Sequence, residues 1–223
     1  MHIPDGYLGP KTYITMYAIF TAFIFVAIKK LKKKLSLKLI PFLGFASAFS
    51  FLIMMFNIPI PGGTTGHAVG AALAGLVIGP WAAMIAVSVA LIIQALVFGD
   101  GGITAIGANC FTMAIVMPFI AVWTYKLIAG NTDNKRRTGV AAFFAGYVSL
   151  NVAALITAVL FGLQPIISTD AAGNPLYSPY PLKIAVPAMT LEHLLLFGIV
   201  EGIVTMVFFQ YLKKANPELV SNK

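Results

Sequence analysis

The sequence predicts an all-α fold, a polytopic membrane helical bundle of about seven transmembrane helices, with the N-terminus outside and the C-terminus cytoplasmic. Of its 223 residues, 59% are hydrophobic and only 10% charged, too few polar groups to cover a soluble domain of this size. The apolar residues run in long blocks and not as single faces of amphipathic helices. The cations gather in short connections between blocks, which is how membrane topology is written. No intervening stretch is long and polar enough for a second domain. Residues 1–223 therefore read as one integral membrane domain of the cell (inner) membrane, and residues 1–12 as an external N-terminal segment.

Taken in order, a first span runs from about Tyr13 to Ile28 and stops at Lys29, Lys30, Lys32, Lys33, Lys34 and Lys38. A second covers Leu39 to Phe56 and is followed by a Pro- and Gly-rich loop from Asn57 to His67. A third, short and rich in small residues, covers Ala68 to Ile78 and ends at Gly79-Pro80. It is too short for a full crossing, so part of the His67 loop is expected to dip into the bundle, where irregular backbone must line a cavity or be buried in protein. A fourth runs from Trp81 to Phe98 and ends at Gly99-Asp100-Gly101-Gly102, and a fifth from Ala105 to Leu127. A sixth covers Val140 to Leu163, beyond a loop carrying Lys135, Arg136 and Arg137. After a long loop from Gln164 to Lys183, a seventh runs from Ile184 to Leu212 and ends at Lys213-Lys214. With the N-terminus outside, the cytoplasmic face receives nearly all the Lys and Arg, and the outside keeps Lys11 and Lys183. Met1-His2, the His67 loop, Gly99–Gly102 and the Gln164–Lys183 loop then share the external face.

The net charge of +8 lies in these loops and not along one stripe, which argues against nucleic acid as a partner. Cys110 is the only cysteine, so intrachain disulfides and thiolate-rich metal sites are excluded. The segment before Tyr13 holds one Lys and is broken by Pro4, Gly6 and Pro10, unlike a cleaved signal peptide. His2 is too bulky for routine removal of the initiator, so Met1 is expected to remain.

That expectation gives the chain start a chemistry. The Met1 α-amine, the His2 amide and His2 Nδ1 can close two fused chelate rings and hold one ion in a plane. A fourth nitrogen would complete a square, which suits Ni(II) or Cu(II), and low-spin Co(II) as well; Zn(II) prefers a tetrahedron. His67, one of three histidines, is a natural fourth donor, although the same residue could simply cap the third span.

These stretches resemble a known family. Met1-His2-Ile3-Pro4-Asp5-Gly6-Tyr7-Leu8, Gly62-Gly63-Thr64-Thr65-Gly66-His67 and Gln94–Gly102 look like the membrane-embedded nickel/cobalt-binding subunits of energy-coupling factor (ECF) transporters. Ala108-Asn109, Glu192-His193 and Glu201-Gly202 fit the same pattern. The resemblance covers essentially the whole chain. It implies that Met1, His2 and His67 hold the substrate ion, Ni(II) with Co(II) as the alternative. It also implies partners: a transmembrane coupling subunit, cytoplasmic ATPase subunits that hydrolyse ATP, and room for a small accessory membrane subunit. The chain itself carries no Gly-x-x-x-x-Gly-Lys-Ser/Thr run, so it reads as a transport subunit and not as an enzyme.

Around this core, an imidazole ligand needs its second ring nitrogen held by a backbone carbonyl or an Asn or Thr side chain, and Thr64 and Thr65 are candidates to steady the His67 ring. Asp100 could anchor the N-terminal segment or attract cations, or serve as a turn residue. Asn109, just inside the fifth span, should have a partner: the His67 loop, the N-terminal segment, or another helix. Glu192, His193 and Glu201 lie at membrane depth, where ionisable groups are functional candidates. As neighbours on a helix, Glu192 and His193 should point apart, so helix-to-helix hydrogen bonding or subunit coupling suits these residues better than ligation. Met54, Met55, Met113 and Met117 read as core filling. Gly44, Ala48, Gly66, Gly70, Ala74 and Gly75 could serve internal contacts or a partner's docking face.

Two rivals are weaker. An intramembrane hydrolase could pair His193 with Ser88 or Ser149, but neither a Gly-x-Ser-x-Gly elbow nor a His-Glu-x-x-His helix is present. A self-sufficient secondary transporter would favour internal repeats, and none is visible.

Overall fold

A computed structural model describes residues 1–32, 39–60 and 64–217. Within these residues the apolar blocks form seven helices: α1 (Pro10–Lys32), α2 (Leu39–Met54), α3 (Ala71–Ile78), α4 (Pro80–Phe98), α5 (Ile106–Ala129), α6 (Lys135–Ile167) and α7 (Leu182–Ala215). Five of them are long and apolar enough to cross a membrane; α2 and α3 are shorter. Between α2 and α3 lies a small antiparallel ribbon, β1 (Ile58–Ile60) and β2 (Thr64–Gly66), with Ile58 opposite Gly66.

Local chemistry sets the ends. Pro10 and Pro80 open α1 and α4, where a missing N–H costs nothing. The Asn134 side chain caps α6, accepting from the N–H groups of Arg136 (2.9 Å) and Arg137 (3.1 Å). Lys29, Lys30 and Lys32 fall in the last turn of α1, where they complement its dipole.

The bundle buries small residues and exposes large apolar ones. Ala72, Ala83, Ala90, Ala145 and Ala154 are inside, while Phe25, Phe45, Phe56 and Leu195 face outward. That is the pattern of helices that approach closely and leave their bulk to lipid. The α6–α7 crossing is an example: Gly198 lies against Asn151 and Gly202 against Phe143. Met54, Met113 and Met117 are fully buried in the core, whereas Met55 is exposed. Gly66, Gly70, Ala74 and Gly75 serve internal contacts, while Gly44 and Ala48 lie on an exposed face of α2.

Both ends of the bundle are tied across. At one end Gly102 N–H donates to Ile3 O (2.8 Å) and Ser178 N–H to Tyr7 O (3.2 Å). At the other, Lys213 pairs with Asp133 (3.1 Å), and Lys30 Nζ sits 4.3 Å from the Trp81 ring centroid. The N-terminal segment, Gly99–Gly102 and the loop before α7 thus meet at one end, and the His67 ring joins them through His2; residues 61–63 of the His67 loop lie outside the described residues.

The third span is short, as its residues predict: it contains only eight helical residues, about 12 Å of rise against a hydrocarbon core of about 30 Å, and the segment carrying His67 is packed inside the bundle ahead of it. Two differences from the sequence reading stand out. Gln164, expected to open a loop, is fully buried within α6. Finally, α4, α5 and α7 each contain a π-helical stretch: Gln94–Phe98, Cys110–Val116 and His193–Phe197. Such wide turns concentrate at functional sites and leave no residue signature.

Candidate metal centre

The N-terminal segment folds back over the bundle and is fixed along its length. Asn109 grips Ile3 from both sides: Ile3 N–H donates to Oδ1 (2.9 Å), and Nδ2 donates to Ile3 O (3.1 Å). The Asp5 carboxylate accepts from the N–H groups of Ile103 (3.0 Å) and Thr104 (2.8 Å). Gly9 N–H donates to Gln164 Oε1 (2.9 Å). Ile3 and Leu8 are buried, and they seat the segment against Ala105, Ala108 and Leu160. An irregular strand is thereby held as firmly as a helix, each of these backbone groups being paired with the bundle.

This clamp carries Met1 and His2 inward. Met1 is 6% exposed, and burial lowers its α-amine from the usual 8.0 to about 6, against the opposing pull of the Glu192 and Asp100 carboxylates. Burial also lowers the His2 imidazole, with Asp100 opposing. Burial therefore favours the neutral form of both groups. The His2 and His67 rings stack, with centroids 4.7 Å apart and planes inclined by 27°.

His67 is 1% exposed. Its Nδ1 lies 3.0 Å from Ala68 O, and its Nε2 is buried with no hydrogen-bond partner. A ring whose Nδ1 donates to a carbonyl presents the Nε2 lone pair. His2 differs, since its Nδ1 faces Asp100 Oδ1 at 3.2 Å. That contact with His2 is the main reason the Asp100 carboxyl lies below its ordinary range. Asp100 thus meets His2 directly and is more than a turn residue.

A cavity of about 460 Å³ adjoins the centre, lined by Met1, His2, Tyr7, Asp100, Met189 and Glu192 among others. Among the described residues, no three His, Cys, Asp or Glu side chains gather as a metal cluster. The buried Met1 amine and the His2 amide lie beside the two rings as nitrogens that are not side-chain atoms.

The remaining candidates separate. The side chains of Thr64 and Thr65 lie outside the described residues, as do Gly62 and Gly63. Glu192 and His193 do not point apart as a regular helix would require. His193 opens a π turn, and its Nδ1 lies 3.3 Å from Glu192 Oε1 and 2.8 Å from Met189 O. Glu201 is fully buried and reaches the backbone beyond His67. Two residues not weighed individually from the sequence also matter. Gln94 is fully buried beside the His2 ring, and Gln164 holds Gly9. In both cases the available signal was a lone amide in an apolar block.

Fold and site together define a multi-pass membrane protein that brings an amine and two imidazoles together, buried, at one end of a helical bundle. The chain belongs to the CbiM family, the cobalt uptake substrate-specific transmembrane region, whose profile matches residues 2–219. It is 52% identical over 222 residues to the fused nickel transport protein NikMN of Rhodobacter capsulatus, covering 99% of this chain and 64% of that relative. The chain thus spans just under two thirds of that fused protein. It is 29% identical over 222 residues to the cobalt transport protein CbiM of a Nostoc species, covering 98% of this chain and 80% of the other. The crystal structure of a truncated transition metal transporter superposes with a TM-score of 0.92 at 48% identity, covering 96% of this chain and 99% of that one.

Proposed function

We propose that this chain is the substrate-capture subunit of an ECF-type importer, an ABC transporter, and that it takes up Ni(II), with Co(II) as the alternative. The ion is held at the external face by the Met1 amine, the His2 amide and Nδ1, and His67 Nε2. The observation that carries this reading is the burial of the Met1 amine and the His2 ring against His67. These are donors that would otherwise be solvated, and here they are packed together in neutral form. Loading exchanges the contact between His2 Nδ1 and Asp100 for the metal. Loss of the amide proton then lets nitrogen donors enclose the ion in a plane, which favours Ni(II).

The relatives support metal transport and not hydrolysis: one is named for nickel and another for cobalt. ATP is hydrolysed by cytoplasmic partner subunits, and a transmembrane coupling subunit links them to this chain. The cation asymmetry supports the orientation, with the metal centre outside and the Lys213–Asp133 end in the cytoplasm.

The test is metal content and absorption after purification of the detergent-solubilised protein with Ni(II). One equivalent of nickel in a yellow, diamagnetic complex is expected. A paramagnetic octahedral spectrum, or no retained nickel or cobalt, would remove the planar nitrogen site.

A further inference from the structure

We infer that Glu201 is the positioning residue for His67, acting through one peptide plane; the inference rests on the metal-site reading above. Glu201 lies in the membrane-spanning part of α7 and is fully buried. Its carboxylate faces backbone and not a cation. Val69 N–H donates to Oε2 (2.7 Å), and Gly70 N–H lies 3.1 Å from both oxygens. Val69 N–H and Ala68 C=O belong to the same planar amide. Glu201 takes the N–H of that plane, and His67 Nδ1 takes its C=O at 3.0 Å. Fixing one edge fixes the other, and with it the direction of Nε2.

The same helix grips the other flank. Phe197 lies four residues before Glu201, on the same face of α7. Its fully buried ring packs on Gly66, where any Cβ would overlap it. The five residues from Gly66 to Gly70 are thus held at both ends by two side chains one turn apart. Gly70 adopts φ +72°, a conformation that glycine takes without strain, and leads the chain from the gripped segment into α3. The contacts cross 132 residues of sequence in the case of Val69, so helix-local structure does not account for them. A buried carboxylate is costly to keep. Its place at the N-terminus of α3, among two consecutive N–H groups, offsets that cost and puts its influence on the peptide next to a proposed ligand.

The experiment measures Ni(II) affinity and the nickel absorption band in wild type, Glu201→Gln, Glu201→Leu, His67→Ala and Thr205→Val. Thr205 is buried one turn further along α7 and serves as the control for general loosening. Removing an outer partner of a metal-bound histidine weakens binding by about 10–100-fold, and that is the loss expected for Glu201→Leu. Its band should shift toward that of His67→Ala. Glu201→Gln keeps one acceptor oxygen and should fall between Leu and wild type. The inference is overturned if both Glu201 variants bind and absorb as wild type while His67→Ala has lost both signals, or if Thr205→Val weakens binding as much as Glu201→Leu. Should His67→Ala itself load normally, the metal-site reading fails instead. If Glu201→Leu does not fold, the isosteric Gln variant still decides, through its band position against that of His67→Ala.

Discussion

The two halves of the proposed metal centre are held in different ways. The N-terminal segment brings up to three nitrogens and is fastened by many partners: Asn109 and Gly102 on Ile3, the Ile103–Thr104 backbone on Asp5, Ser178 on Tyr7 and Gln164 on Gly9. His67 brings one nitrogen, and the side chains that grip its two flanks, Phe197 and Glu201, come from one helix, beside the ribbon pairing of Gly66 with Ile58 and the packing of Gly70 on Phe49. The difference teaches that the segment without regular structure is the redundantly secured one. An open strand loses more entropy on ordering than a helix-flanking residue does, so it needs more anchors to stay in place.

This contrast can be broken at several levels. The largest effect is expected for His2→Ala, which removes the shared ring of the chelate and should abolish high-affinity nickel binding while the bundle stays folded. Calorimetry with Ni(II), run beside thermal unfolding, reads both. Asn109→Ala comes next. It removes two hydrogen bonds from Ile3 but leaves the one from Gly102, so nickel affinity should fall by about 10–100-fold without vanishing. Asp5→Asn should do less again, since the amide keeps one acceptor for the Ile103–Thr104 backbone; equilibrium dialysis suffices to rank the three. If Asp5→Asn proves as damaging as His2→Ala, the anchors are not redundant.

Proton competition sharpens the same comparison. The Met1 amine is lowered to about 6 by burial, and His2 moves in the same direction. Binding displaces the His2 amide proton at every pH in this range, so affinity falls steadily as pH drops. Well above pH 6 the buried amine adds nothing to that fall, and the slope should steepen as pH drops through 6, where protonation of the amine also competes. A solvated amine with the ordinary value near 8.0 would steepen it already between pH 8 and 7. Nickel titrations from pH 5 to 8 distinguish the two, and a two-proton slope beginning at pH 8 would mean that the amine is not buried in solution.

Much of this was legible in the residues. The apolar blocks and cation-rich loops marked seven helices and which loops meet, because a bilayer leaves the backbone few options. The opening Met-His and His67 carried the candidate donors, since chelation depends on residue type and order, and the structure brings the His2 and His67 rings together. What the sequence did not carry was anything set by tertiary contact. The π turns at Gln94, Cys110 and His193 have no residue signature, and the last of them brought Glu192 and His193 together against expectation. Gln164 looked like a loop residue because Pro165 follows it, yet α6 continues through that proline. Glu201 was visible as a costly carboxylate, but its partner is a backbone segment 131 residues or more away, and no pattern of side chains points there.

The central claim is that the chain's own amine binds the ion. The most direct measurement is the nickel content and absorption spectrum of the purified protein with one glycine added ahead of Met1, compared with the unextended chain. The account predicts that the unextended protein holds one nickel in a yellow, diamagnetic complex, and that the extension, by turning the amine into a peptide nitrogen inside a buried clamp, removes both metal and colour. An extended protein that loads nickel with the same affinity and spectrum would contradict it.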